Sequence, residues 1–224
     1  MIKRIIAGAT AAGLLSLAPI AVSAPAGAAT ENHTVTLTTT PSKTSVVYGD
    51  DLYINVSAAG SDGRSYPDGT TTLYVMPAGA TAWTPVQTVE AGMSFYDVKP
   101  AMNSAYKVVY SGYTATTSYE NNYAASEAAA FTVAVQRNVT IDKAKKRLTI
   151  KGKIKPTYKK KKVIIHAKKG KRWVKHKTVK TNKRSAFQVT LPRAPRGKKL
   201  YFRITVPGDS QYVKYSEVWY TYSY

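Results

Sequence analysis

Residues 147–155 read Arg-Leu-Thr-Ile-Lys-Gly-Lys-Ile-Lys, so that Leu148, Ile150 and Ile154 alternate with Arg147, Lys151, Lys153 and Lys155. A period of two sends successive side chains to opposite faces of a strand, so this stretch can satisfy both sets only in a sheet with one buried and one wetted side. The wetted side is almost wholly ammonium and guanidinium. The same pattern continues through Lys159 to Lys162, Val163-Ile-Ile-His-Ala167, Lys168-Lys-Gly-Lys-Arg172 and Trp173-Val-Lys-His-Lys-Thr-Val179, each apolar run fenced by basic turns. No segment sustains a helical period. The expected class is all-β.

The N-terminus follows a different rule. Lys3 and Arg4 precede a mostly apolar stretch from Ile5 to Ala21, small residues follow as far as Ala29, and Ala26-Gly27-Ala28 fits a signal-peptidase site. Residues 1–28 are expected to be a cleaved signal peptide. The mature chain is then secreted, extracellular or non-covalently associated with a cell wall. Pro19 breaks the apolar run, and no later stretch approaches the ~20 apolar residues of a spanning helix. The chain has no cysteine, which excludes disulfides, thiolate–zinc sites and cysteine nucleophiles. Stability must come from apolar cores, and roughly 195 mature residues are enough for two of them.

Charge shows where to divide the chain. Residues 30–136 hold 4 basic and 9 acidic residues, a net −5, whereas residues 137–224 hold 27 basic and 3 acidic residues, a net +24. The expected organisation is one near-neutral to acidic unit, 30–136, followed without a Pro/Gly-rich linker by a strongly basic one, 137–224. Beneath this contrast the halves repeat. Thr72-Leu-Tyr-Val75, Trp83 and Thr88-Val89 correspond to Val163-Ile-Ile165, Trp173 and Thr178-Val179, and Val75 to Trp83 and Ile165 to Trp173 each span eight positions. The two tryptophans are expected at equivalent hairpin positions, packed on the strands at Leu73–Val75 and Val163–Ile165. In the first half, strands are expected at 35–39, 51–57, 71–76, 84–89, 94–98, 106–110 and 128–135, with turns at Tyr48-Gly-Asp, Ser61-Asp-Gly, Pro67-Asp-Gly and Pro77-Ala-Gly. About seven strands in about 100 residues point to an immunoglobulin-like sandwich, which can hold without its disulfide.

The order of an alternating strand, an apolar strand, a Trp-x4-Thr-Val hairpin, a Tyr-x-Val/Ile strand, a Gly turn, and Tyr with a nearby Ser before the last strand resembles the tandem bacterial Ig-like domains of secreted actinobacterial proteins. The resemblance covers essentially the whole mature chain. It implies two tandem Ig-like β-sandwiches serving as non-enzymatic spacer, adhesion or wall-associated modules; fold alone licenses no activity.

Chemistry-bearing constellations are few. His166 and His176 lie on neighbouring expected strands, but no third ligand accompanies them and lysines surround them. Asp62 and Asp68 sit in turn dipeptides with Arg64 between them, a poor calcium loop. No carboxylate pair stands out for glycoside chemistry, and no catalytic residue, metal or cofactor is expected. Seventeen tyrosines are an excess. At the end of the chain Tyr220, Tyr222 and Tyr224 fall on one strand face and Trp219 on the other, either as a last strand covering the core or as an aromatic strip that stacks on sugars or bases.

The basic coat is the strongest signal. Solubility asks for a net charge of magnitude about 2–8 in a small domain, and +24 lies far beyond it. Lys151, Lys153, Lys155, Lys159, Lys160, Lys161, Lys162, Lys168, Lys169, Lys171, Arg172, Lys175 and Lys177 are the candidate contacts to an anionic polymer such as wall teichoic acid, acidic polysaccharide, lipid headgroups or DNA. Lysine point charges suit nonspecific attraction more than bidentate reading, and no recognition helix is present, so sequence-specific nucleic-acid binding is not expected. Two alternatives remain: a purely structural spacer or adhesion module, and a carbohydrate-binding or hydrolytic module.

Overall fold

A computed structural model describes residues 30–65, 67–193 and 197–222. The expected signal peptide lies outside the described residues, as does Tyr224. Among the described residues there is no helix, and the chain is a succession of eighteen strands. The first half holds β1 (Asn32–His33), β2 (Val35–Pro41), β3 (Ser45–Val47), β4 (Leu52–Gly60), β5 (Thr70–Pro77), β6 (Thr84–Glu90), β7 (Phe95–Val98), β8 (Ser104–Tyr110), β9 (Asn122–Tyr123), β10 (Ser126–Glu127) and β11 (Phe131–Gln136). The second holds β12 (Asn138–Lys143), β13 (Thr149–Lys155), β14 (Lys162–Lys169), β15 (Arg172–Lys180), β16 (Ala186–Thr190), β17 (Lys199–Val206) and β18 (Tyr215–Tyr222).

Each half is a sandwich. In the first, the sheet β2-β4-β7 packs on β3-β11-β8-β5-β6. In the second, β12-β13-β16 packs on β15-β14-β17-β18. The second unit's three-against-four arrangement with antiparallel neighbours is that of an Ig-like sandwich, and the first sets three strands against five, β3 joining β11 in parallel. The alternation in the sequence builds the cores directly. On β4, Leu52, Ile54, Val56 and Ala58 point inward while Tyr53, Asn55, Ser57 and Ala59 face water. They meet Leu73, Val108, Tyr110 and Val133 of the facing sheet. In the second half Ile154, Phe187 and Val189 meet Val163, Ile165, Phe202 and Ile204. The β13 strand begins at Thr149, and Leu148, at φ 53°, belongs to the turn before it rather than to the core.

The repeat is visible in the hydrogen-bond register. The β5–β6 hairpin pairs Leu73 with Gln87, shifts register, then pairs Tyr74 with Pro85. The β14–β15 hairpin pairs Ile165 with Lys177, shifts in the same way, then pairs His166 with Lys175. Superposing the bulges makes Trp83 and Trp173 equivalent, with Leu73 matching Ile165. The tryptophans lie on these hairpins from the outside rather than in the cores. Both are half-buried on the outer faces, under Lys107 in the first unit (5.1 Å to the ring centroid) and Arg203 in the second (4.9 Å). These two cations occupy matching positions, opposite Tyr74 and His166.

The halves meet through a buried joint. Residues 207–214, between β17 and β18, reach back to the first unit. There the Val213 amide donates to the Val135 carbonyl at 2.9 Å, the Asn103 amide donates to Gln211 at 2.8 Å, and the Tyr212 hydroxyl donates to Ala101 at 2.9 Å. Tyr212 belongs to the first unit's core cluster. Beside it Arg137 is only 2% exposed. Its guanidinium carbon lies 4.1 Å from the Tyr212 ring centroid and 4.7 Å from that of Tyr158, and Nη2 donates to Asp209 Oδ2 at 2.8 Å.

Candidate polyanion-binding surface

The structure spreads the candidate cations over the second unit instead of gathering them in a cleft. Lys151, Lys153 and Lys155 project from the outer face of β13, opposite Asp142, Thr140 and Asn138 of β12. Lys159, Lys160 and Lys161 form the connection into β14, which Lys162 opens. Lys168 and Lys169 close β14, and Lys171 and Arg172 sit at the hairpin tip, where Gly170 takes a positive φ. Lys175 and Lys177 lie along the edge strand β15.

Lys161 stands apart from the others. Its Nζ is 3.2 Å from Asp209 and 5.4 Å from the Tyr158 ring centroid, so it belongs to the joint. Among the described residues, Arg137 and Lys161 are the only cations of the second unit in an ion pair, and both share Asp209. The remaining described cations make no ion pair, although Asp142 lies across from Lys151, and an external polyanion would relieve their mutual repulsion.

The β17–β18 register sorts the terminal aromatics. Trp219 lies opposite Phe202, packs against the second core and donates from Nε1 to the Tyr215 hydroxyl at 3.3 Å. Tyr220 and Tyr222 take the outer face, opposite Tyr201 and Lys199. The strip therefore loses Trp219 and gains Tyr201. Its rings are mutually tilted, Tyr201 to Tyr220 at 6.1 Å and 49°, Tyr220 to Tyr222 at 6.0 Å and 86°. Cations lie on the rings. Lys168 Nζ is 5.7 Å from the Tyr201 centroid, and Lys199 Nζ is 4.8 Å from that of Tyr220 and 5.8 Å from that of Tyr222. At these distances the ring quadrupole attracts each ammonium and restrains its position. The involvement of Lys199, Tyr201 and Arg203 was available in the alternation of Lys199-Leu-Tyr-Phe-Arg203, but only the pairing partner shows which face they share.

Tyr222 also lines a hollow of about 260 Å3 at the end of the sandwich, together with Lys143, Lys146, Arg147, Leu191 and Thr221. These three cations were not among the sequence candidates. Lys143 ends β12, Lys146 lies in the turn that follows, and Arg147, although it opens the alternating stretch, sits in that turn rather than in β13. Along the same sheet, His166 faces Arg203 and Lys175. Burial first, and then those two charges, hold its pKa below the ordinary 6.5, so it adds no charge at neutral pH. His176 turns instead to the Thr190 carbonyl, 2.9 Å away, and the two histidines do not share a site.

The first unit's carboxylates are engaged locally. Asp62 accepts from the Tyr123 hydroxyl at 2.6 Å and the Arg64 amide at 3.1 Å, and Arg64 pairs with Asp68 at 3.1 Å. Among the described residues no three histidine or carboxylate side chains are grouped to hold a metal. A shallow hollow of about 410 Å3 on the first unit is lined by Met76, Pro77, Ala105, Thr132 and Val213, with no acid or base.

No family model matches the chain, and no curated protein matches it. Among solved structures it is similar to the chicken interferon gamma receptor alpha chain, at 9% identity over 83% of this chain and 96% of that one, with a TM-score of 0.46. A two-domain fibronectin type-III segment of chicken tenascin is similar at 10% identity over 85% and 98% of the two chains, with a TM-score of 0.41. A tetra-tandem repeat from the extending region of a large adhesion protein is similar at 11% identity, covering 84% of this chain and 49% of that one, with a TM-score of 0.31. Likenesses this remote do not bear on function, and the fold rests on the strand topology itself.

Proposed function

We propose that the chain is an extracellular, non-enzymatic Ig-like protein of the secreted bacterial kind, and that its basic second unit binds anionic envelope or matrix polymers without sequence preference. One observation supports this reading above the others. The second unit carries 27 basic residues against 3 acidic ones, and among the described residues only Arg137 and Lys161 are neutralised internally. The other described lysines and arginines stand on the outer faces, turns and edge strands, as suits a polymer that can be met from any side. Passing the full chain over immobilised teichoic acid, polyuronate and DNA, with neutral dextran as control, tests it. Retention on the anionic supports and release by salt are expected; retention equal to that on dextran would contradict the reading.

The spacer reading has its own support in the buried joint at Arg137, which ties the two units together through side chains and backbone. In that case the chain would pass through every anionic support unretained, while keeping a fixed end-to-end distance in solution scattering.

A further inference from the structure

The outer face of β15-β14-β17-β18 carries aromatic side chains that the sandwich itself does not require. The first unit provides the internal comparison, because its scaffold repeats the second. With the bulges superposed, Lys107 falls on Arg203, and the neighbouring pair Ala105–Thr132 falls on Tyr201–Tyr220. Where the first unit has small side chains lining a hollow, the second raises a tyrosine ridge. Tyr201, Tyr220 and Tyr222 remain 39%, 56% and 41% exposed. Aromatic surface kept in water at these positions of one repeat, where the matching positions of the other hold Ala105 and Thr132, points to a ligand.

We propose that this ridge is a binding site for a linear acidic polysaccharide. Its sugar faces would rest on Tyr201, Tyr220 and Tyr222, its acid groups would pair with Lys168 and Lys199, and the chain would continue into the basic hollow at Lys143, Lys146 and Arg147. The inference rests on the polyanion reading above and narrows it to one class. Charge and geometry both select that class. Nucleic-acid bases stack on parallel platforms, and tilts of 49° and 86° do not provide one. A bare polyphosphate has no apolar face to place on a tyrosine. A second copy of this unit would bring another +24 against the first. An open sheet face makes few contacts with any one sugar, and a repeating polymer compensates by engaging several subsites at once.

The test uses the full chain, titrated at one fixed salt concentration with polyuronate, polyphosphate and oligodeoxythymidine. The ridge variant is Tyr201→Ala with Tyr220→Ala. The control removes the exposed pair of the first unit, Tyr53→Ala with Tyr96→Ala, whose rings are 6.3 Å apart. The ridge variant should lose about tenfold in affinity for polyuronate and about twofold at most for polyphosphate, while the control changes neither. Should the double variant melt early, Tyr222→Ala alone reads the same difference. Equal losses on both polymers, or no loss on polyuronate, would overturn the site. So would a larger loss on oligodeoxythymidine, which would mean base stacking. If the wild-type chain binds polyphosphate but not polyuronate, the site fails and the broader polyanion reading stands. If it binds none of the three, both fail.

Discussion

Replacing Asp209 with asparagine removes the anion that, among the described residues, alone pairs with the buried Arg137, and leaves the loop almost isosteric. Asp209 Oδ1 accepts from the Gln211 and Tyr212 amides at 3.2 and 3.1 Å, and an asparagine oxygen can keep both bonds. What is lost is the charge at Oδ2, 2.8 Å from Arg137 and 3.2 Å from Lys161. Breaking a buried ion pair from one side costs about 3–5 kcal/mol, because the other charge stays desolvated and alone. Two features reduce that figure. Asp209 is 32% exposed, and the Tyr158 and Tyr212 rings continue to attract the guanidinium. A loss of about 2–3 kcal/mol follows. Urea unfolding at neutral pH measures it. Arg137→Met with Asp209→Asn should recover most of the loss, since the desolvated charge that Asp209→Asn leaves alone is then gone. If Asp209→Asn costs under about 0.5 kcal/mol, a surface-pair value, the joint does not rest on this charge.

The pH dependence of the joint has a definite sign. Burial raises the Asp209 pKa, but hydrogen bonds and charge from Arg137 and Lys161 outweigh it and leave the carboxyl below its ordinary 3.8. A depressed carboxyl stabilises the fold fully above its unfolded pKa, and that contribution is lost as pH falls through the folded value. The joint should therefore weaken below about pH 4.

Three further outcomes follow from the structure. Gly152→Ala would drive a methyl group against Cε1 and Cζ of the Phe187 ring and to 3.0 Å from Ile141 Cδ1, so thermal unfolding should show a loss of about 1–3 kcal/mol. Glu120 accepts from the Thr116 amide at 2.7 Å, the Tyr113 hydroxyl at 2.8 Å and the Thr116 hydroxyl at 2.9 Å, and these bonds, the backbone one foremost, lower its pKa to about 2. The Thr116 amide resonance should thus report loop loosening as pH falls from about 4.5 toward 2, and Glu120→Gln should abolish that titration. Trp83→Ala and Trp173→Ala should each cost about 1–2 kcal/mol by calorimetry, below the ~3–5 kcal/mol of a core tryptophan, because each ring lies on an outer face under one cation.

The sandwich was legible wherever alternation ran over four or more residues. Thus β4, β5, β6 and β8 fall within a few residues of the expected segments. The three-residue β3 was not, for it contributes one buried residue, Val46, and pairs in parallel with a strand far along the chain. The tryptophan repeat was visible, yet its register was not. Trp173 lies eight positions from Ile165, but the equivalent distance in the first unit runs ten positions from Leu73 to Trp83, because the hairpin from Leu73 to Gln87 is two residues longer than that from Ile165 to Lys177. The joint was the least accessible feature. Nothing local distinguishes Arg137 from the other 26 basic residues of its half. Its burial is created by Tyr158, Asp209 and Tyr212, which lie 21 or more positions away. For the same reason Lys161 could not be separated from Lys159, Lys160 and Lys162.

If the lysines of the second unit bind polyanions by ion pairing, as proposed, added salt must weaken that binding steeply. The measurement that tests it most directly is the salt dependence of affinity for duplex DNA, used as a polyanion of known charge spacing. Each neutralised phosphate contributes about −0.9 to the log–log slope, so six contacts give a slope near −5. Replacing Lys151, Lys153 and Lys155 by glutamine should reduce its magnitude by up to about 2.7. Replacing Lys43 and Lys99 of the first unit should leave it unchanged. A slope near zero, or no binding at low salt, would contradict the account.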